Sequence, residues 1–217
     1  MRVTEAVNQR RSIRAFLDKP VESKVLEELL ITAARAPSGG NVQPWRIYVV
    51  NGPAMARFRD FRDSRKAPEN AAYEIYPQGL TEPYRSSRFK VGEDMYSLLG
   101  IPREDRGARI RRLMENYNFF GAPAAIFCFV DKQMGPPQWS DLGMFLQTFM
   151  LLATEAGLDT CAQEAWAARP DTVAEFVGAP PEQMLFCGVA IGFQDSAAPV
   201  NSLVSERAPL SGFATFL

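Results

Sequence analysis

The segment Ala36-Pro37-Ser38-Gly39-Gly40-Asn41-Val42-Gln43-Pro44-Trp45 separates two elements of contrasting pattern. Before it, apolar residues recur at helical spacing from about residue 23 to residue 34. After it, Arg46–Val50 is a short apolar run that predicts a buried strand. Ser-Gly-Gly supplies ordinary turn formers, whereas Asn41 and Gln43 place amides at alternate positions. The composition therefore suits either a plain helix-to-strand loop or a rigid polar cradle for a planar, hydrogen-bonding ligand.

Length and composition limit the classes of protein that this chain can represent. It has 217 residues with 47% hydrophobic and 23% charged residues, which predicts one globular domain over 1–217 with an elaboration at about 54–115. The net charge of −1 favours neither nucleic acid nor an anionic membrane. No apolar run approaches the roughly 18 residues of a membrane helix, and the N-terminus has no apolar signal region, so we expect a cytoplasmic protein.

Histidine is absent, and this excludes histidine-based triads, imidazole metal sites and a histidine general base. The three cysteines, Cys128, Cys161 and Cys187, form no Cys-x-x-Cys pair, so we expect buried free thiols and no metal site. Chemistry in this chain must therefore rely on a cofactor, on carboxylates or on backbone groups.

Two further buried strands are predicted at Pro123–Asp131 and Met184–Phe193. A helix from Ser140 to Ala156 is apolar on nearly all sides, which indicates the core or a subunit interface. Between two helical patterns at Ala54–Arg65 and Asp105–Phe120, the proline-rich chain is expected to be ordered but irregular. Further helices are predicted at Val3–Arg10 and from Pro170 to Gly178.

The first candidate site is Arg10-Arg11-Ser12-Ile13-Arg14, at the end of the first predicted helix. Guanidinium groups beside a hydroxyl are suited to phosphate oxygens, although a solvated basic turn would have the same composition. A second candidate, Asp159–Trp166, is either a loop with a packing tryptophan or a segment whose backbone N–H groups meet the edge of a ring. Gln147, the polar residue inside the apolar helix, either makes a structural hydrogen bond or contacts a ligand.

Four motifs then occur in a distinctive order: Arg-Arg-Ser-x-Arg, the segment Ala36–Trp45, Ala156-Gly157-Leu158-Asp159-Thr160, and Arg207 in the tail. In that order they resemble the nitroreductase family of FMN-dependent oxidoreductases. Tyr76-Pro77 and Pro83-Tyr84-Arg85 are most similar to its nitrobenzoate-reductase-like branch. The resemblance implies an α+β fold with a central mixed, mainly antiparallel sheet flanked by helices, in an intertwined homodimer with shared active sites.

The resemblance also implies roles for particular residues of this chain. The FMN-binding residues that it implies are Arg10, Arg11, Ser12, Arg14, Pro37, Ser38, Gly39, Asn41, Gln43, Gln147, Gln163, Glu164, Ala165 and Arg207. The segment from Pro37 to Gln43 would come from the other subunit. The composition of the elaboration adds Tyr76, Tyr84, Arg85 and Arg88 as candidates for an acceptor pocket. One departure from the family is Ser205, which stands where many relatives have a lysine.

The activity implied is reduction of nitroaromatic or quinone-like acceptors by NAD(P)H in a two-step, ping-pong hydride transfer through FMN. The cofactor performs the redox chemistry, so a chain without histidine can be such an enzyme. Two alternatives remain open at this point. The acceptor could be an enone or a halogenated aromatic, or the chain could store or sense FMN without turnover.

Overall fold

Four strands form an antiparallel sheet in the computed structural model, which describes residues 1–217. The strands are β1 (Arg46–Asn51), β2 (Ala124–Asp131), β3 (Asp159–Gln163) and β4 (Gln183–Gly192), in the order β1-β2-β4-β3. Beside β3, Ser12 makes a parallel bridge to Thr160, and the Ile13 backbone N–H donates to the Thr160 carbonyl at 3.0 Å. The predicted mixed, mainly antiparallel sheet is confirmed.

Seven α-helices surround this sheet, and short 3-10 turns connect several of them. The helices are α1 (Val3–Gln9), α2 (Ser23–Ala33), α3 (Pro53–Ser64), α4 (Tyr84–Leu98), α5 (Arg106–Met114), α6 (Pro136–Glu155) and α7 (Pro170–Val177). On one face of the sheet, α2 and α6 pack on a core that includes Phe145, Phe149 and Ile126. On the other face, Phe58 of α3 packs with Phe127 of β2. None of these helices has the length and apolar character needed to cross a membrane.

The structure corrects four of the sequence predictions. Tyr84–Leu98 is a regular helix where irregular chain was expected, because no residue of α4 is fully buried and it therefore lacks the apolar stripe that reveals a helix. Asp159–Gln163 is a strand, which the sequence did not predict, because the strand has only five residues and several of them are polar. The helix predicted to reach Phe120 ends at Met114, and α6 begins at Pro136 rather than at Ser140.

After α5 the chain continues as the 3-10 turn Glu115–Gly121. Phe119 and Phe120 adopt positive φ values of 52° and 54°, so the chain cannot continue as a right-handed helix there. Both rings are buried in the core. All three cysteines are free and buried, as predicted.

One face of α6 packs on the core while the other remains open in the single protomer. Leu142, Phe145 and Phe149 are buried, whereas Met144 keeps 38% of its surface and Gln147 is exposed. The helix is therefore less enclosed than its composition predicts. Uncovered apolar surface on a central helix is typical of a subunit interface.

Trp166 fixes the segment that follows β3. Its ring is fully buried, and it lies so close to Gly188 of β4 that a Cβ atom there would stand 2.4 Å from Trp166 Cδ1. Only glycine allows this approach. The contact holds the 3-10 turn Glu164–Ala168 directly over the sheet.

Glu69 anchors the segment between α3 and α4 to α7. Its carboxylate accepts hydrogen bonds from the backbone N–H groups of Asp171 and Thr172, at 2.8 and 3.0 Å, and from the Thr172 hydroxyl. Arg169 adds a salt bridge at 2.8 Å, and the Glu69 side chain is only 8% exposed. Glu69 thus caps a helix that lies about a hundred residues further along the chain.

We expect Glu69→Gln to lower the free energy of unfolding at pH 7 by about 2–3 kcal/mol, because several charge-assisted hydrogen bonds are weakened. Burial raises the pKa of Glu69, but hydrogen bonds from Thr172 and Arg169 outweigh it, so the pKa lies below its ordinary value. The stabilisation should therefore be complete above the unfolded-state pKa of about 4.3 and disappear as the pH falls through the lower folded-state value. Urea unfolding at several pH values measures this.

Glu175→Gln is the matched control. Glu175 pairs with Arg65, but both side chains are about half exposed, so its loss should cost less than about 1 kcal/mol. Equal losses for the two variants would show that Glu69 is an ordinary surface carboxylate.

Candidate active site

A cavity of about 1060 Å³ lies where the chain leaves α1, next to the start of β3. Four arginines and one carboxylate line it. These charged residues are Arg10, Arg11, Arg14, Arg207 and Asp159, and Ser12 and Gln147 lie in the same wall. The structure therefore brings together five predicted phosphate and flavin residues from opposite ends of the chain, together with Gln147 from α6.

The positive charge in this cavity is largely uncompensated. None of the four arginines forms a salt bridge within the protomer. Burial lowers the pKa of Arg10, and the like charge of Arg207 lowers it further. Like charges held together without a counterion are unfavourable. The arrangement is therefore suited to a multiply charged anion.

Short local contacts orient two of these guanidinium groups. Arg207 Nη1 donates to the Ser205 hydroxyl at 2.8 Å, and also to the Ser205 carbonyl at 3.0 Å. The residue that departs from the family pattern thus holds its neighbouring arginine in place. Arg14 Nη1 donates to the Ser12 carbonyl at 3.2 Å.

A second cavity, of about 1360 Å³, lies at the other end of β3. The segment Ala162–Ala165 forms one wall, and the elaboration forms the other with Tyr76, Arg85 and Arg88. Tyr84, also predicted here, begins α4 at 64% exposure and does not line the cavity. Gln163 Nε2 donates at 2.7 Å to the carbonyl of Asn116, which lines the same cavity. Gln163 Oε1 is buried and has no hydrogen-bond partner.

The charges around the second cavity are mostly paired. Glu82 pairs with Arg85 at 2.7 Å, and Glu93 pairs with Arg109 at 2.5 Å. Arg88 has no carboxylate partner, and its guanidinium lies 4.0 Å from the centre of the Tyr76 ring. Arg88 is therefore the unpaired cation in this wall. Glu164 is solvent-exposed, yet partial burial raises the pKa of its carboxyl group.

Two elements connect the cavities. Asp159, at the start of β3, lines the first cavity, and Ala162 lines the second, roughly 10 Å further along the strand. In α4, Val91 lines the first cavity and Gly92 lines the second. One ligand with a charged end and a planar end could therefore occupy both.

The segment Pro37–Gln43 lines neither cavity. Asn41 and Gln43 are exposed and have positive φ values of 57° and 49°, a conformation that non-glycine residues rarely adopt. The Gly39 backbone N–H donates to the buried carboxylate of Asp141 on α6 at 3.3 Å. Backbone strain held by such an anchor is found mainly at functional sites.

Trp45 and Pro44 have a structural role. Trp45 stacks on Phe145 of α6, with ring centroids 5.0 Å apart, and Pro44 is buried. The exposed segment before them is thereby fixed to the central helix.

Three supporting residues escaped the sequence analysis. Asp141 anchors the polar loop, Asn201 accepts a hydrogen bond from the Arg14 backbone N–H at 2.8 Å, and Arg112 donates to the Arg14 carbonyl at 2.9 Å. Asn201 and Arg112 lie 187 and 98 residues from Arg14. No local sequence signal marks such contacts, although an aspartate within an apolar helix could have singled out Asp141.

The sequence and the fold are similar to those of known proteins. The sequence matches the Nitroreductase family over residues 7–193. It is 33% identical to the nitrobenzene nitroreductase of Ectopseudomonas oleovorans, over 99% of this chain and 96% of that protein. It is 35% identical to the 4-nitrobenzoate reductase of Pseudomonas putida, over 97% of this chain and 93% of the relative.

A solved structure extends the likeness to the whole fold. The crystal structure of the FMN- and NADPH-dependent nitroreductase NfnB from Sphingopyxis sp. strain HMH superposes with a TM-score of 0.95 at 43% identity. The superposition covers 100% of this chain and 99% of that one.

Proposed function

This chain belongs to the nitroreductase family, and on that premise we propose that it is an FMN-dependent NAD(P)H oxidoreductase that reduces nitroaromatic or quinone-like acceptors. The observation that carries this proposal is the cavity with four unpaired arginines, joined by β3 to a second, larger cavity. Named relatives support the acceptor class, since they reduce nitrobenzene and 4-nitrobenzoate.

The residues of the first cavity fit FMN. A phosphate monoester carries up to two negative charges at neutral pH, and Arg10, Arg11 and Arg207 would hold it with charge-assisted hydrogen bonds. Arg14, which lies in the same wall two residues after the bridge from Ser12 to β3, would face the polar edge of the ring system. Gln163, Glu164 and Ala165 would approach the ring from the second cavity.

FMN held by these residues would supply the redox chemistry, which is the transfer of an electron pair, as hydride, from NAD(P)H to the acceptor. A nitro group that takes two electrons and two protons loses one oxygen as water and becomes a nitroso group. The second cavity is lined by exposed segments, so solvent supplies protons there without a histidine. The protein's own contribution is to bind both reactants and to fix their orientation.

The purified protein should be yellow, and NADH or NADPH should bleach it under anaerobic conditions. Addition of 4-nitrobenzoate or nitrobenzene should restore the colour in proportion to the acceptor added. The visible absorbance of the oxidised flavin follows both steps. A flavin that neither nucleotide bleaches would identify a storage or sensor protein instead, and bleaching that only an enone or a haloaromatic reverses would change the acceptor.

We propose further that the enzyme is a homodimer whose active sites are shared. The exposed face of α6, the strained loop Pro37–Gln43 and the exposed tail residues Phe213 and Phe216 support this arrangement. In a single protomer, Asn41 and Gln43 line neither cavity. They would therefore contact the FMN held by the partner's arginines.

A mixed dimer tests both the phosphate site and its sharing. Arg10→Ala with Arg207→Ala, and separately Asn41→Ala with Gln43→Ala, should each lose FMN on gel filtration as homodimers. Loss of both arginines should weaken FMN binding at least 100-fold, because each charge-assisted contact contributes about 1.5–3 kcal/mol. A mixed dimer with one protomer of each kind should regain one FMN per dimer, since one site then has only native residues.

Arg57→Ala with Arg106→Ala is the control, because it removes the same charge from exposed positions outside both cavities. It should retain two FMN per dimer. A mixed dimer that binds no FMN would show that each site is built from one chain, and an arginine double variant that keeps stoichiometric FMN would contradict the phosphate assignment.

Because Arg88 has no carboxylate partner, we expect it to bind acceptors that carry a carboxylate. Arg88→Met should raise the KM for 4-nitrobenzoate about five-fold and leave the KM for nitrobenzene unchanged, because an exposed ion pair contributes roughly 1 kcal/mol. Steady-state kinetics with the two acceptors measure this difference. Arg85→Met is the matched control, since Arg85 is already paired with Glu82 and its loss should have a smaller effect.

Equal increases in the KM for both acceptors, or a larger increase with Arg85→Met, would show that Arg88 does not bind the acceptor. Tyr84→Phe should have no effect on either KM, because Tyr84 lies outside the cavity wall.

A further inference from the structure

The peptide of Arg14 is held from both sides by side chains that are distant in sequence. Its N–H donates to Asn201 Oδ1 at 2.8 Å, and its carbonyl accepts from Arg112 Nη2 at 2.9 Å. Asn201 is 4% exposed, and its Nδ2 also donates to the Ala15 carbonyl at 2.8 Å. The backbone that carries the Arg14 guanidinium therefore has little freedom to move.

Arg112 contributes more than a hydrogen bond to this arrangement. It is partly buried, and its guanidinium lies 5.0 Å from the centre of the Phe120 ring. Its Nε is buried and has no hydrogen-bond partner. Burial lowers the pKa of Arg112; nearby Glu115 opposes this shift, whereas the positive charge of Arg14 adds to it.

The Arg112 guanidinium thus lies against the Arg14 backbone, and neither arginine is held in a salt bridge, although the Glu115 carboxylate is close enough to act on Arg112. Arg112 forms no salt bridge, and neither does Arg14. Such a pair costs free energy in the free protein and is stabilised when negative charge enters beside it. The location is informative, because Arg14 lines the first cavity, whereas Leu113, which follows Arg112 in the chain, and the nearby Asn116 line the second.

Resting on the proposed function, we infer that Arg112 is a positioning residue that raises the reduction potential of bound FMN. It holds the Arg14 peptide in place and adds a second positive charge behind it. A flavin gains negative charge on reduction, so this pair of cations binds the reduced form more tightly than the oxidised form. Arg112 itself lines neither cavity and acts through Arg14.

The midpoint potential of the FMN-loaded protein tests this role, measured anaerobically against reference dyes. Arg112→Met, which keeps an aliphatic stem over Phe120, should weaken binding of reduced relative to oxidised FMN about ten-fold. For a two-electron couple this lowers the potential by about 30 mV. Arg112→Gln, which keeps an N–H donor but no charge, should shift it in the same direction, and Arg112→Lys should retain most of the native value.

Arg111→Met is the matched control, because Arg111 is the exposed neighbour on the same helix and forms no salt bridge. A fall in potential for Arg112→Met and Arg112→Gln that is no larger than for Arg111→Met would overturn the inference, as would equal weakening of both redox forms of FMN. The native apoprotein is titrated with FMN first. Absence of binding there would refute the proposed function itself and is distinguishable from a failure of the Arg112 prediction.

Discussion

Uncompensated positive charge is the constraint on which the rest of this structure depends. Arg10, Arg11, Arg14 and Arg207 converge on one cavity, and no carboxylate forms a salt bridge with any of them. Elsewhere the protein does pair its arginines, as Arg109 with Glu93 and Arg169 with Glu69. The contrast between these paired arginines and the cavity arginines shows that the fold can supply a carboxylate partner to a guanidinium group. At the cavity, the fold leaves the charge available to a ligand instead.

The sheet explains how charges from both ends of the chain meet. Ser12 and Ile13 extend the sheet beside β3, and Asn201 joins the segment after β4 to the Arg14 backbone. The buried strands β2 and β4 carry almost no polar side chains and serve as the rigid base. Functional residues lie on the segments at the sheet edge, where a short strand such as β3 can line two cavities in succession. Precision at the site thus derives from apolar packing several residues away, above all from Trp166 against Gly188.

The sequence was sufficient to predict the elements whose buried residues are apolar and recur at regular spacing. The long strands, α2, α6 and α7 have clear apolar patterns, and the arginine motif was visible because its residues are adjacent. It was insufficient for α4, which buries no residue completely, and for β3, which is short. Arg112 and Asn201 could not be found either, because their importance depends on contacts with Arg14 that only the folded chain creates. Family resemblance supplied the cofactor, which no pattern of residues could name by itself.

The strained loop at Asn41 and Gln43 links this architecture to assembly. Positive φ values at two non-glycine residues cost free energy, and Asp141 and Trp45 hold the loop in that conformation against α6. A loop whose only function was connection would gain stability by relaxing. Yet the loop is exposed and lies outside both cavities of its own protomer. The strain therefore has a use only if the loop meets something that the isolated chain lacks. The loop is anchored to the buried residues Asp141 and Phe145 of α6, beside the open face of that helix. In the homodimer that we propose, this open face would bring the arginine cavity of the second copy to the loop.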